Sequence, residues 1–325
     1  MPMTDIDHIA EIALLWHQGG RQVALATVME TWGSAPRRAG SQLVVAGDGQ
    51  MMGSVSGGCV EGAVIEEALT AIGDGQSRVL TFGVSDDNAF AVGLACGGTI
   101  RILVEPIAKS GLREEILADL VAAREARQRV AYIVNLETWE RKLAPFGARF
   151  DERFRKDQTG VEGAEFIAIH NPAPRLIVVG AVHIAQALLP MARACGHAPS
   201  LVDPRGAFGS VDRFPGETIV DAWPDEALGR LGLDARTAVV TLTHDPKLDD
   251  PAIRAALGSP VYYLGCLGSK RTHAKRVERL TVAGFGADDL ARIHAPVGLD
   301  LGAANPAEIA LSIMADITLA LRQGA

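Results

Sequence analysis

The sequence predicts an α/β protein: a small N-terminal α/β domain followed by a C-terminal, Rossmann-like, doubly wound parallel sheet. Three observations lead there. Leu176-Ile177-Val178-Val179 is an unbroken apolar run of the kind found in strands covered on both faces. It is followed by Gly180-Ala181-Val182-His183-Ile184-Ala185, a helical stretch over 183–195, a strand over 198–202, and Asp203, 23 positions after Gly180. Strand, glycine turn, helix, strand and terminal acid is the order of a dinucleotide-binding fold. Asn171-Pro172-Ala173-Pro174 separates this half from the rest, because two prolines so close suit neither a helix nor a central strand. The expected domains are 1–108 and 173–325, with 109–172 as a connecting region.

The composition suits such a protein. In 325 residues, 48% are hydrophobic and 22% charged, which describes a globular chain with a full core. The 31 Lys and Arg against 39 Asp and Glu leave a net charge of −8. With no long basic block to offset it, nucleic acid and anionic membranes are poor partners. No apolar run reaches the roughly 18 residues of a membrane helix. The acidic start Met1-Pro2-Met3-Thr4-Asp5 lacks the layout of a signal peptide, so a cytoplasmic location is expected. The four cysteines, Cys59, Cys96, Cys195 and Cys266, form no C-x-x-C pair and are expected as free thiols. Cys195, in an apolar helical run, is expected in the core.

In chain order, 4–18 reads as a helix ended by Gly19-Gly20 and 22–29 as a strand. The loop 31–40 carries Trp32, Arg37, Arg38 and two glycines, a composition for anion binding, or else for an ordinary polar connector. Strands over 41–45 and 51–55 flank Gly47-Asp48-Gly49-Gln50, a hairpin signal. Then comes Ser56-Gly57-Gly58-Cys59, leading into a helix over 60–72 that closes at Gly73. Cys59 is expected in the first helical turn, where unpaired N–H groups and the helix dipole favour a thiolate. Packing as a small hydrophobe is the other reading. Strands over 77–82 and 99–105 bracket Cys96-Gly97-Gly98, a second cysteine beside paired glycines. A charged helix over 110–128 and strands over 129–135 and 166–170 follow. From 137 to 163 the composition turns charged and polar, and 151–157 reads as a surface excursion.

In the second half, further strands are expected over 218–222, 237–243 and 261–264. Thr243-His244-Asp245 and Gly268-Ser269-Lys270-Arg271 fall at carboxyl ends of strands, where ligands of open α/β sheets gather. The latter turn opens a helix over 270–284 and resembles a phosphate cradle without Walker A spacing. Helix 306–321 is expected as core or dimer contact. The glycine fingerprint is blunted: its middle position is Val182, whose branched side chain keeps a pyrophosphate from approaching the backbone closely. NAD(P) is therefore the less favoured cofactor.

Taken in order, Thr31-Trp32-Gly33-Ser34-Ala35-Pro36-Arg37, Gly53-Ser54-Val55-Ser56-Gly57-Gly58-Cys59-Val60-Glu61, Cys96-Gly97-Gly98, Gly180-Ala181-Val182-His183-Ile184-Ala185, Val202-Asp203-Pro204-Arg205, Thr243-His244-Asp245 and Gly268-Ser269-Lys270-Arg271-Thr272 make the chain similar to the XdhC/CoxI family of xanthine dehydrogenase accessory proteins. The resemblance implies a molybdenum cofactor chaperone. Such a protein binds molybdopterin or its cytosine dinucleotide form, supports sulfuration with a cysteine desulfurase, and delivers the cofactor to the large subunit of an apo-molybdoenzyme. It implies Cys59 as the cofactor-binding cysteine and a molybdenum contact. The expected cofactor-binding residues are Arg37, Ser56, Gly57, Gly58, Cys59, Cys96, Gly97, Gly180, Ala181, His183, Asp203, Arg205, His244, Gly268, Ser269, Lys270 and Arg271. Asp203 is expected to take a ribose hydroxyl if a nucleotide is present. No catalytic residue is expected, and a homodimer is. The competing function is an NAD(P)-dependent oxidoreductase using the C-terminal domain.

Overall fold

A computed structural model of the chain describes residues 8–33, 37–83 and 98–323. The chain divides between Pro172 and Ala173 into two compact units. Among the described residues no helix is long and apolar enough to cross a membrane.

The first unit contains two antiparallel sheets. Helix α1 (Ile9–Gln18) leads into β1 (Val23–Trp32), β2 (Gln42–Ala46) and β3 (Met51–Gly53). Helix α2 (Glu61–Asp74), β4 (Arg78–Phe82) and β5 (Thr99–Pro106) complete a sheet of order β3-β2-β1-β5-β4. The chain continues through α3 (Glu114–Glu125), β6 (Val130–Asn135), β7 (Arg141–Pro145), a 3-10 turn (Ala148–Phe150), α4 (Asp151–Lys156), β8 (Gly160–Glu162) and β9 (Glu165–His170). Its strands form a second sheet, β7-β6-β9-β8. The stretch 137–163 thus supplies two strands and a short helix, and the expected excursion over 151–157 is helix α4, which lies at the surface with only Phe154 buried. The polar composition of the stretch also reflects the exposed faces of strands such as β7, where most positions are only half-buried.

Alternation explains the layers. In β1, Ala24, Ala26 and Val28 join Val64, Ala68 and Ala71 of α2 in one core, while Val23, Leu25 and Met29 face a second core with α1, α3, β6 and β9. Helix α2 runs past Gly73 to Asp74 and ends on Gly75, whose φ of +74° supplies the left-handed cap.

The second unit is a parallel sheet covered on both faces. It comprises β10 (Arg175–Val179), α5 (His183–Ala194), β11 (Ala198–Val202), β12 (Ile219–Val220), α6 (Pro224–Leu231), β13 (Thr237–Thr241), α7 (Pro246–Leu257), β14 (Tyr263–Cys266), α8 (Lys270–Val282), α9 (Ala287–Ala291), β15 (Ile293–His294) and α10 (Pro306–Gln323). The order β12-β11-β10-β13-β14-β15 is that of the six-stranded dinucleotide-binding fold, with its switch point between β10 and β13. Helices α5 and α10 cover one face through Leu188, Ile313 and Ile317; α6 and α7 cover the other through Leu228, Ile253 and Ala256. The expected apolar face of 306–321 is therefore core.

Two cysteines separate by environment. Cys266 is fully buried, and burial pushes its thiol up to about 11, so it packs as a hydrophobe. Cys195 is exposed, contrary to expectation: α5 stops at Ala194, and Cys195 is its C-cap, turned out of the core.

Candidate ligand-binding site

Candidate site residues fall into two groups, one in each unit. In the first, residues 54–61 form a turn closed by its own carboxylate. Glu61, the first residue of α2, is buried, and its side chain reaches back over the turn. It accepts hydrogen bonds from Ser54 Oγ (2.7 Å), Ser56 Oγ, and the N–H groups of Val55 (3.2 Å), Ser56 (2.9 Å), Gly57 (3.0 Å) and Gly58 (2.8 Å). Ser56 Oγ in turn accepts from the N–H groups of Cys59 (3.0 Å) and Val60 (2.9 Å). Burial pushes the Glu61 carboxyl up, but the hydroxyls of Ser56 and Ser54 and the Ser56 amide outweigh it and hold it at about 2.

This corrects the expected role of the backbone. The N–H groups from 55 to 60 are taken by Glu61 and Ser56, so they do not stand open to a thiolate or an anion. Cys59 also lies outside the helix, because Val60 is the N-cap and α2 starts at Glu61. What the turn does is present. Gly57 and Gly58 take φ of +78° and +116°, which side-chain-bearing residues rarely adopt, and both are exposed. A Cβ at Gly58 would meet nothing within 4 Å. Cys59 is half-buried beside this open backbone and packs against the core that β1 and α2 share, on a frame that its hydrogen bonds make rigid. The residue that organises the site is Glu61. The Ser/Gly/Gly/Cys/Val/Glu spacing could have identified it, since an acid in the first turn of a helix commonly binds the preceding N–H groups.

Arg37 is half-buried and Arg38 exposed; Arg38 borders an open hollow with Lys156 and Thr159. Cys96 and Gly97 lie outside the described residues, as do Ser34, Ala35 and Pro36.

In the second unit the expected residues gather at the carboxyl edge of the parallel sheet. Gly180 follows β10 with φ +111°, and a Cβ there would sit 2.5 Å from Thr243 Cγ2. Only glycine lets the loop after β10 pass the loop after β13 so closely. Gly180→Ala is expected to lower stability by about 2–4 kcal/mol, from strain plus the clash, measured by chemical denaturation.

Asp203 is buried, and both of its oxygens are occupied. Oδ2 accepts from Ala181 N (2.8 Å) and Arg205 Nη2 (2.7 Å); Oδ1 accepts from Arg205 N (3.0 Å) and Nε (2.8 Å). Burial raises the carboxyl, the Arg205 and Ala181 donors lower it, and the net shift is downward. Asp203 is thus a latch between the loops after β10 and β11, not a carboxylate free for a ribose. Arg205 lies over the Phe208 ring at 4.3 Å. His183, the first residue of α5, is exposed.

Beyond β13, His244 has φ +61°, uncommon for a non-glycine residue. Asp245 caps α7 by accepting from Lys247 N (2.9 Å). Beyond β14, Gly268 has φ +137°, and Ser269 caps α8 by accepting from Thr272 N (3.2 Å). Lys270 and Arg271 are exposed. Between the start of α7 and the first three turns of α8 is a cavity of about 270 Å³ lined by His244, Asp249, Arg271, Lys275, Arg276 and Arg279, among others. Arg276 was not among the expected residues. Of those expected, His244 and Arg271 share this cavity, whereas Gly180, Ala181, Asp203 and Arg205 cluster around the Asp203 latch. Among the described residues no group of His, Cys, Asp and Glu is arranged to hold a metal ion.

Comparison with known proteins gives concordant results. Residues 16–83 match the model of the XdhC and CoxI family, and residues 176–317 match that of the XdhC Rossmann domain. The chain is 31% identical over 324 residues to the molybdenum cofactor insertion chaperone PaoD of Escherichia coli, covering 97% of this chain and 89% of that one. It is 29% identical over 315 residues to a protein of Bacillus subtilis named as a probable subunit of xanthine dehydrogenase, covering 91% and 92%. A crystal structure of a Bacillus halodurans protein, called a xanthine dehydrogenase, has the same fold, with a TM-score of 0.71 at 24% identity over 97% of this chain and 96% of that one.

Proposed function

This chain belongs to the XdhC and CoxI family, and on that premise we propose that it is a chaperone that binds the molybdenum cofactor as cargo and delivers it to a xanthine dehydrogenase-type enzyme. The observation that carries the reading is the near full-length likeness to a molybdenum cofactor insertion chaperone. One feature of the chain suits the metal end of such a cargo. Cys59 offers a soft sulfur ligand, matched to molybdenum, on a rigid turn with open space beside its neighbour Gly58. When bound, the cargo supplies the redox-active metal; the protein's part is to hold it and keep it from solvent.

The finer reading is that the cargo is sulfurated while bound, with a cysteine desulfurase as donor, and passes to the large subunit of the apo-enzyme. A cytoplasmic homodimer is part of the same proposal. Molybdopterin and its cytosine dinucleotide form are both compatible with a turn that holds the metal end. Cys59, with Ser56, Gly57 and Gly58 shaping its turn, is the proposed metal contact.

The nicotinamide reading draws support from the strand order alone. Val182 and the saturated Asp203 both argue against it, so NADH and NADPH are expected to show no saturable binding in a fluorescence titration.

The test is to purify the protein under conditions that preserve the cofactor and quantify released pterin by mass spectrometry. The wild type is expected to carry molybdopterin or its nucleotide form, and Cys59→Ala at least tenfold less. Equal pterin in the variant would remove Cys59 from the site; none in the wild type would sink the chaperone reading.

A further inference from the structure

We propose that the cavity between α7 and α8 is a binding site for a phosphate or diphosphate group, held by Arg276 from below and by Arg271 and Lys275 from its rim. Arg276 is 2% exposed. A guanidinium carries five N–H donors, and a buried one is costly unless they are used. Here Nη2 donates to Leu267 O at 3.0 Å and lies 3.8 Å from Asp249 Oδ2. Nε and Nη1 are buried and have no hydrogen-bond partner among the described residues. Two nitrogens with three unused N–H donors, on a buried cation that lines a cavity, define a place for an acceptor with several oxygens.

The surrounding charge has the same sign. The side chains of Arg271 and Lys275 make no hydrogen bond or ion pair among the described residues, while Arg279 is committed to Asp250 at 2.6 and 2.9 Å. Among the described residues the only carboxylate on the wall is Asp249, whose Oδ1 accepts from Thr243 Oγ1 at 2.6 Å. Arg271, Lys275 and Arg276 therefore outnumber it. Helix α8 adds the positive end of its dipole, since Arg271 and Thr272 are in its first turn.

Size and place narrow the ligand. At about 270 Å³ the cavity falls below the roughly 300–1,000 Å³ of pockets that bury drug-sized molecules, so it suits an anionic group of a larger ligand. It sits beyond β13 and β14, one strand away from the β10/β13 switch point where a dinucleotide fold places its pyrophosphate. This deepens the chaperone reading by naming the phosphate contact, and rests on it only for the identity of the larger molecule.

The test is isothermal titration of the full chain with inorganic phosphate and with pyrophosphate. Saturable, salt-sensitive binding is expected, weakened at least tenfold in Arg276→Gln and in the Arg271→Ala/Lys275→Ala double variant. The double variant changes exposed positions and decides the matter if Arg276→Gln does not fold. No binding by the wild type, or undiminished binding by the double variant, overturns the site. Competition by cytidine diphosphate against a simple phosphate monoester separates a nucleotide source from a pterin one: tighter binding of the former assigns a diphosphate, parity a single phosphate. Phosphate binding by a protein that purifies without pterin would uphold this site and refute the chaperone reading.

Discussion

Replacing Glu61 by Ala is expected to destabilise the first unit by about 3 kcal/mol or more and to abolish cargo binding while leaving Cys59 in the chain. The carboxylate accepts six hydrogen bonds from Ser54, Val55, Ser56, Gly57 and Gly58. Removing it strands N–H groups in a turn where Val55 and Ser56 are buried. Two positive-φ glycines then lose the contacts that hold them, and the turn becomes an ensemble. A pH titration gives an independent check. The folded carboxyl lies at about 2, below its ordinary value of 4.5. Its contribution is therefore complete above pH 4.5 and declines as pH falls toward 2, amounting to about 2 kcal/mol once solvent screening at this open turn is allowed for. Glu61→Gln should remove that acid-dependent component, seen as a flatter stability profile between pH 4.5 and 2 by calorimetry. An unchanged profile would mean that the turn is held by something else.

The same residue marks where reading the sequence stops. The strand–glycine–helix–strand order around Gly180 was legible because each part depends on local pattern: apolar run, left-handed turn, helical period. The sheet topology follows from that order by general rules of α/β connection. Glu61 was visible only as part of a motif. Its position predicts a cap, but the wrapping of one carboxylate around residues 54–58 depends on a backbone path that no periodicity encodes. Asp203 misled for a related reason. An acid at the second strand tip suits a ribose, and nothing in Val202-Asp203-Pro204-Arg205 says that Arg205 folds back on its neighbour at 2.7 and 2.8 Å. Arg276 was illegible altogether, because among the basic residues of α8 only tertiary packing distinguishes the buried one from exposed Arg271 and Lys275. The second sheet was half visible: β6 and β9 have apolar patterns, whereas β7 and β8 are short and largely polar edges.

That second sheet is tied to the first by a buried ion pair, and breaking the pair is expected to have the largest effect on stability in the chain. Arg141 of β7 donates from Nε to Glu105 Oε1 of β5 at 2.6 Å, with side chains 6% and 1% exposed. Tyr132 Oη of β6 donates to both Glu105 oxygens at 3.0 Å. The remaining Arg141 donors reach Trp139 O (2.7 Å) and Ser77 Oγ (2.6 Å). Three strands from two sheets thus meet on one carboxylate whose partners are complete. Arg141→Ala leaves Glu105 charged and buried, and should cost about 3–5 kcal/mol, or roughly 10 °C in melting temperature for a unit of this size. Burial already pushes the Glu105 carboxyl up against the pull of Arg141 and Tyr132; without Arg141 it rises further. The folded variant then takes up a proton more readily than the unfolded chain. Its deficit should be largest at neutral pH and shrink as pH falls toward the ordinary carboxyl range. Replacing the whole group, Glu105→Leu with Arg141→Met and Tyr132→Phe, removes every orphan at once and should recover most of the loss. Denaturant unfolding of the single and combined variants measures the coupling directly. A combined variant no better than Arg141→Ala alone would show that packing at these positions, not the unpaired charge, sets the cost.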